Sequence, residues 1–342
     1  MLHQLKLFQF RNLPELTCQF EEKVVVIHGL NGLGKTNLID SIHHLCLTKS
    51  YFKSIDQHNV QFGAAMYTLE GNFSDGHVFM GWEEGKGKVI RENGSNQTAK
   101  ALIGKRPVVM VAPSDTGLIL GGSEERRKMM DRFLCQVDAE YLAALTEYQK
   151  WLKQRSAILK QISEHQSVDP FLLEFTEMKM GPLASLLQNR RKAFIEALSP
   201  ELVEIYSNIS GGREIPTVEY QPSEFGPASA QEKASGRNLA GPQADDIEWK
   251  LDGFSVKKFA SQGQQKSLVF SIKLAQIKRL TQEQSIPPTL LFDDLFEKLD
   301  QQRLKRLLEW VQEQNFAQLF ITDTQRERSQ DLIGGSMDFI GL

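Results

Sequence analysis

Apolar residues follow two rhythms along this chain, and the change between them divides it. Over residues 1–10 they fall at Leu2, Leu5, Leu7, Phe8 and Phe10, close enough to alternation for a strand, which Arg11-Asn12 ends. Residues 16–20 return as a second short strand, and residues 23–28 (KVVVIH) form the unbroken β-branched run of a buried one. Residues 37–47 (NLIDSIHHLCL) then read as a helix. Alternation resumes in three runs around 66–73, 77–82 and 88–92, separated by Ser74-Asp75-Gly76 and Gly85-Lys86-Gly87, which predicts an antiparallel meander. Residues 107–111 (PVVMV) predict one more buried strand.

At Pro113 the period lengthens to that of a helix. Residues 124–135 carry Met129, Met130, Phe133 and Leu134 behind Arg126, Arg127 and Lys128. Over 141–162, Leu145, Leu152 and Leu159 stand seven apart, a coiled-coil-like seam, and 171–198 is helical again after a polar break at 163–170. An antiparallel helical hairpin, a short arm, is the simplest reading. Residues 221–245, rich in Pro, Gly, Ser and Ala, predict a linker or mobile loop. A strand follows at 247–251, then a helix opened by Ser261-Gln262-Gly263-Gln264-Gln265 with Leu268, Ile272 and Ala275 on one face. Residues 289–292 make a buried strand that ends in Asp293-Asp294; residues 295–300 lead to a helix over 301–314, and 317–322 is the last clear strand.

Composition narrows the picture. A chain of 342 residues exceeds the usual single core, so two domains or a large insertion are expected. The formal charge of −3 announces no basic field, so any nucleic-acid surface must be local. Within 123–192, twelve Lys/Arg stand against ten Asp/Glu, and the clusters 126–128, 150–155 and 190–192 are candidates for phosphate contact, with a solvated helix face as the plainer alternative. Cys18, Cys46 and Cys135 show no paired spacing and read as buried or incidental thiols. With no run long enough to span a bilayer and no leader-like start, a cytoplasmic protein without membrane contact is expected.

The chemistry centres on Gly29-Leu30-Asn31-Gly32-Leu33-Gly34-Lys35-Thr36, which fits the P-loop pattern at every fixed position and lies between a strand and a helix. Glycines let backbone N–H groups crowd round phosphate oxygens, the helix start adds positive potential, Lys35 reaches the β/γ-phosphates and Thr36 ligates Mg²⁺. ATP and Mg²⁺ are therefore the expected cofactors. Such a site needs a carboxylate for the metal and a group that positions the attacking water. The apolar strand that ends in paired acids supplies both, with Asp293 assigned to the metal shell and Asp294 to the water.

Seven stretches carry a family resemblance in a fixed order: FQFRN (8–12), GLNGLGKTN (29–37), APSDTGLILGGSEERRKMMD (112–131), LAGPQADDIEW (239–249), SQGQQKSLVFSIKLAQ (261–276), LLFDDLFEKLD (290–300) and ITDT (321–324). With them the chain resembles the bacterial RecF family, in the SMC-like branch of the ABC ATPases. The resemblance implies an α/β fold: an ABC-type P-loop ATPase head, with a mixed sheet and an antiparallel meander, plus an inserted, mainly helical lobe bearing a short coiled-coil arm. Residues 1–112 would form the N-terminal half of the head, 113–215 the helical lobe, and 216–342 the C-terminal half with the signature and Walker B motifs. It also implies a slow, DNA-linked ATPase that dimerises with ATP, binds single-stranded, gapped and duplex DNA, and acts in recombinational and replication-gap repair and the SOS response with RecO-like and RecR-like mediators. Ser261, Gly263 and Gln264 would meet the γ-phosphate held by a second copy, Arg11 would reach phosphates, Asn12 would brace that loop, and Asn37 and Asp300 would complete the site.

Thr322 or Thr324 would stand where transport ATPases carry a switch histidine. Asp294 replaces the glutamate of those enzymes, which fits slow hydrolysis. The family's GPHRDD appears as 241–246 GPQADD, without its charged pair, and Ser123 replaces the proline expected before the paired arginines. The Arg126, Arg127 and Asp131 set is expected to serve lobe packing or γ-phosphate coupling. The alternatives are the ATPase subunit of a membrane transporter and an SMC-type structural clamp, for which an arm of three heptads is short.

Overall fold

The computed structural model describes residues 1–294, 301–326, 330 and 335–342, with the side chains of 301–303 left aside. The chain forms two compact units, Met1–Asp115 with Phe270–Leu342, and Thr116–Val269.

The first unit holds two sheets. An antiparallel one runs β2-β1-β4-β5-β6-β7, built from β1 (Leu2–Phe10), β2 (Leu13–Gln19), β4 (Met66–Phe73), β5 (Gly76–Glu83), β6 (Gly87–Glu92) and β7 (Ser95–Asn96). A parallel one runs β14-β3-β13-β12-β8, built from β3 (Val24–His28), β8 (Val108–Val111), β12 (Thr289–Phe292), β13 (Gln318–Asp323) and β14 (Asp338–Gly341). The predicted meander is β4 to β6. Helix α1 (Lys35–Leu47) shares one apolar core with both sheets, where Leu5, Leu7, Val25, Ile27, Ile39, Ile42, Tyr67 and Leu69 are buried. In β1 the alternation slips because Gln9 has left-handed backbone (φ 50°), and Phe10 is buried along with Leu5 and Leu7. Two further helices of this unit are α2 (Ala99–Leu102) and α10 (Gln301–Glu313).

The second unit consists of α3 (Gly117–Leu120), α4 (Ser123–Val137), α5 (Ala139–Ser163), α6 (Pro170–Ser210), α7 (Ala230–Ser235), α8 (Val256–Phe259) and a sheet of order β11-β10-β9, with β9 (Pro216–Gln221), β10 (Asp246–Leu251) and β11 (Phe254–Ser255). Helix α9 (Gln262–Glu283) begins here and continues into the first unit. The helical hairpin is α5 and α6, and α4 packs on α6 through the Phe133 and Phe194 rings, 4.6 Å apart.

Several expectations are corrected. Helix α6 runs on to Ser210 with Pro182 and Pro200 inside it, because Leu202, Ile205, Tyr206 and Ile209 keep a helical stripe buried beyond the second proline. The buried stripe of α5 passes through Tyr141, Tyr148, Arg155 and Leu159, while Leu145 and Leu152 are only half-buried. Residues 221–245 are ordered: Ser229 and Glu232 form a capping box on α7, and Glu232 and Asp245 are buried among arginines. Residues 216–269 cluster with the helices instead of returning to the head at 216, since β9 and β10 pair with each other and the buried Trp249 of β10 donates from Nε1 to Leu118 O. No helix among the described residues is long and apolar enough to cross a membrane.

Candidate nucleotide-binding site

The carboxyl ends of β3 and β12 lie in one parallel sheet with β13 between them, so the loop after β3 and the acids after β12 face a common edge. A cleft of about 230 Å³ opens there, lined by Asn12, Asn31, Gly32, Gly34, Lys35, Thr36, Asn37, Pro113, Asp293, Asp294 and Thr322. Residues 258 positions apart in sequence thus share one wall, Lys35 with Asp293.

Gly34, at φ 110°, caps α1 without a side-chain hydrogen bond, so the first N–H groups of the helix stay available to an anion. A Cβ at Gly34 would come within 2.8 Å of Asn12 Oδ1 and Leu13 Cδ2, and glycine alone permits that approach. Gly32, at φ 88°, faces open space. Lys35 Nζ donates to Gly29 O at 2.6 Å and to Leu30 O at 3.0 Å, so the ammonium sits inside its own loop. Leu30 and Leu33 are exposed, at 76% and 42%, and neither lines the cleft; Gly29 packs against the Leu342 carbonyl.

Thr36 Oγ1 lies 3.0 Å from both Asp293 carboxylate oxygens, and Thr322 Oγ1 donates to Asp293 Oδ1 at 2.9 Å. Burial raises the pKa of Asp293 and the nearby Asp294 charge adds to that, while the two threonine hydroxyls and Lys35 oppose it. A hydroxyl and a buried carboxylate converging within reach of an ammonium make a donor set suited to a hard, oxygen-seeking cation beside phosphate, so Mg²⁺ fits. Asp294 has φ 51° and its N–H donates to Thr322 Oγ1 at 2.8 Å, a left-handed conformation held at the cleft wall.

Asn12 Nδ2 donates to Gly32 O at 2.9 Å and Asn37 Nδ2 donates to Asn12 Oδ1 at 2.6 Å, a brace across the loop. Arg11 departs from its expected place. Its guanidinium is not among the cleft-lining groups; it donates to Asn37, Asp40, Ser50 and Asn59, and the buried Asp40 carboxylate is its ionic partner. Of the two candidate threonines only Thr322 reaches the cleft.

Ser261, Gly263 and Gln264 belong to the second unit, where Gln264 Oε1 accepts from Ser261 N at 2.7 Å and Gln264 N donates to Ser261 Oγ at 3.3 Å. That reciprocal pair caps the start of α9. Asp300 lies outside the described residues. Arg126 is buried and paired with Asp246, and Arg127 donates to Asp245 O, which makes both lobe-packing residues. Gln243, one of the two altered positions, accepts from Tyr148 OH at 2.5 Å, so a neutral contact occupies that place. Pro113 and Asp40 were missed as site residues. A carboxylate flanked by the apolar Leu38, Ile39 and Ile42 on a helix was the available signal for Asp40, since a buried acid demands a partner.

The strand order, the P-loop and the acids after β12 define the class: an ABC-type P-loop ATPase head of the SMC-like kind. Residues 1–334 match the model of the RecF/RecN/SMC N-terminal domain. The DNA replication and repair protein RecF of Porphyromonas gingivalis (strain ATCC BAA-308 / W83) is 35% identical, over 97% of this chain and 94% of its own length. That of Bacteroides thetaiotaomicron is also 35% identical, over 96% and 92%. Among solved structures, the recombination mediator protein RecF-ATPrS of the RecFOR pathway superposes with a TM-score of 0.84 at 25% identity, covering 99% of this chain and 96% of that one. An Smc head domain from Pyrococcus furiosus, at TM-score 0.52 and 16% identity over 97% and 90%, shares the fold. The chain belongs to the RecF family of DNA replication and repair proteins.

Proposed function

We propose that this chain binds ATP and Mg²⁺ in the cleft between the P-loop and β12, and uses slow hydrolysis to switch a DNA-bound dimer in gap and recombinational repair. The observation that carries the reading is the convergence of Thr36, Asp293 and Thr322 beside Lys35. The P-loop N–H groups and Lys35 would hold the phosphates, Thr36 and Asp293 would hold Mg²⁺, and Asp294 would orient water. When bound, Mg²⁺ offsets phosphate charge. Ser261, Gly263 and Gln264 would complete the site of a second copy from the start of α9, so that ATP stabilises the dimer by mass action. RecO-like and RecR-like mediators, single-stranded or gapped DNA and a cytoplasmic location follow from the family, and the RecFOR pathway named for the solved relative supports the first of these.

The test is fluorescence anisotropy of a gapped duplex at physiological salt, with and without ATP and Mg²⁺, for the native chain and Lys35→Met. ATP should strengthen binding by the native chain and leave Lys35→Met unchanged. Equal binding by the native chain in both conditions would remove the link between nucleotide and DNA.

A further inference from the structure

Beneath the P-loop runs a chain of buried polar contacts that nucleotide binding does not use directly. It leaves the cleft at Asn37, whose Oδ1 accepts from Arg11 Nη1 at 2.8 Å. Arg11 Nη2 meets Asp40 Oδ2 at 2.5 Å, and the other Asp40 oxygen accepts the backbone N–H of Tyr51 at 2.6 Å. The Tyr51 hydroxyl donates to Asp115 Oδ1 and accepts from Lys273 Nζ, the latter at 2.8 Å. Lys273 also meets Asp115 at 3.0 Å and donates to Met110 O at 3.0 Å, at the end of β8. Asp115 Oδ2 accepts from Ala112 N at 2.7 Å, which closes the turn that sets Pro113 in the cleft wall. The relay therefore starts and ends on the cleft, with α9 fastened to it at Lys273.

Asp40 is fully buried, and Lys273 and Asp115 are each about 95% buried. Charged groups held that deeply contribute little net stability, because desolvation offsets their attraction. A fully paired network instead fixes one arrangement, since moving any member strands its neighbour. We infer that Tyr51 and Lys273 are positioning residues of the nucleotide site: they lock α9 to both walls of the cleft, so that filling the cleft alters the order of α9. The inference rests on ATP binding in this cleft. It gives the helix that opens with Ser261 a mechanical connection to the P-loop that needs no contact between Arg11 and phosphate.

Hydrogen–deuterium exchange of the full chain, with and without ATP and Mg²⁺, tests it on the native protein, Tyr51→Phe and Lys273→Met. Tyr51→Phe keeps the ring and the Lys273 to Asp115 pair, so it decides the matter should Lys273→Met fold poorly. In the native chain, ATP should raise protection across 29–37 and across 270–283. In Tyr51→Phe the gain at 29–37 should persist and the gain at 270–283 should fall, since Lys273 then keeps only its ties to the Pro113 wall, through Asp115 and Met110 O. Native protection at 29–37 without any at 270–283 overturns the relay and leaves ATP binding standing. No ATP effect at 29–37 in the native chain takes down the nucleotide reading and the relay with it. An unaltered ATP response at 270–283 in Tyr51→Phe, even over a lowered basal protection, would show the network to be structural only.

Discussion

Thr322 makes two hydrogen bonds with one hydroxyl, donating to the buried Asp293 and accepting from the N–H of the strained Asp294. Thr322→Val removes both and leaves a buried carboxylate oxygen and a backbone N–H short of partners, a loss of about 1–3 kcal/mol. Thr322→Ser keeps the hydroxyl. Thermal melts should place Ser near the native chain and Val below it, and ATP turnover should fall at least about tenfold in Val, as 1.4 kcal/mol lost from the ordered site would give. Equal turnover in the two variants would remove Thr322 from the site. Residues with a rigid local pattern were legible in sequence as neighbours: part of the P-loop and the paired acids after an apolar strand line one cleft. Arg11 was not, because the same fork of N–H donors suits a phosphate or a carboxylate, and only the fold reveals that Asp40 lies within 2.5 Å.

At the scale of elements, periodicity located most strands and the long helices, since each buries a stripe of its own; β9 and β14, whose residues are mostly only partly buried, were not located. The short ones escaped. Helix α7 is held by Arg155, which reaches from α5 to Glu232 at 2.9 Å and to Glu177 of α6 at 3.0 Å. Composition over 221–245 says loop; tertiary ion pairing overrides it, and no local signal beyond the capping box reports that. Burial by itself raises the Glu232 pKa, but hydrogen bonds from Arg155 and from the N–H groups of Leu239 and Ser229 outweigh it and hold the pKa at about 2. Its unfolded value is near 4.3, so the folded value is depressed. The stabilisation is then fully present above about pH 5 and is lost as pH falls towards 2. Glu232→Gln should lower the melting temperature at pH 7 and flatten its fall between about pH 5 and 3. Parallel melting curves for the two proteins across that range would show that the pair does not stabilise the lobe.

For the molecule as a whole, a formal charge of −3 requires that any contact with nucleic acid be local, and ion pairing narrows the choice further. The arginine-rich clusters of the arm were candidates, yet Arg126, Arg155 and Arg191 are 6%, 1% and 2% exposed and bound to carboxylates. Sequence cannot separate these from free cations, because charge counts carry no partner. What remains on α5 is Lys150, Lys153 and Lys160, all exposed and spaced three and seven apart, which sets them along one face; Lys160 meets Glu164 at 3.9 Å, a solvated surface pair that phosphate can displace. Under the proposed function these three are the cations to meet phosphate. Reversing them to Glu should leave the fold within about 0.5 kcal/mol per site, as for other surface positions. Affinity for gapped duplex should drop, and the slope of log affinity against log salt should flatten by up to about 0.9 for each phosphate no longer neutralised. Arg155→Glu should behave differently: it places a carboxylate among Glu177 and Glu232 and removes a buried cation, at about 3–5 kcal/mol, so its defect should appear in the melt before it appears in DNA binding. An unchanged salt slope in the triple lysine variant would move the DNA surface off α5 altogether.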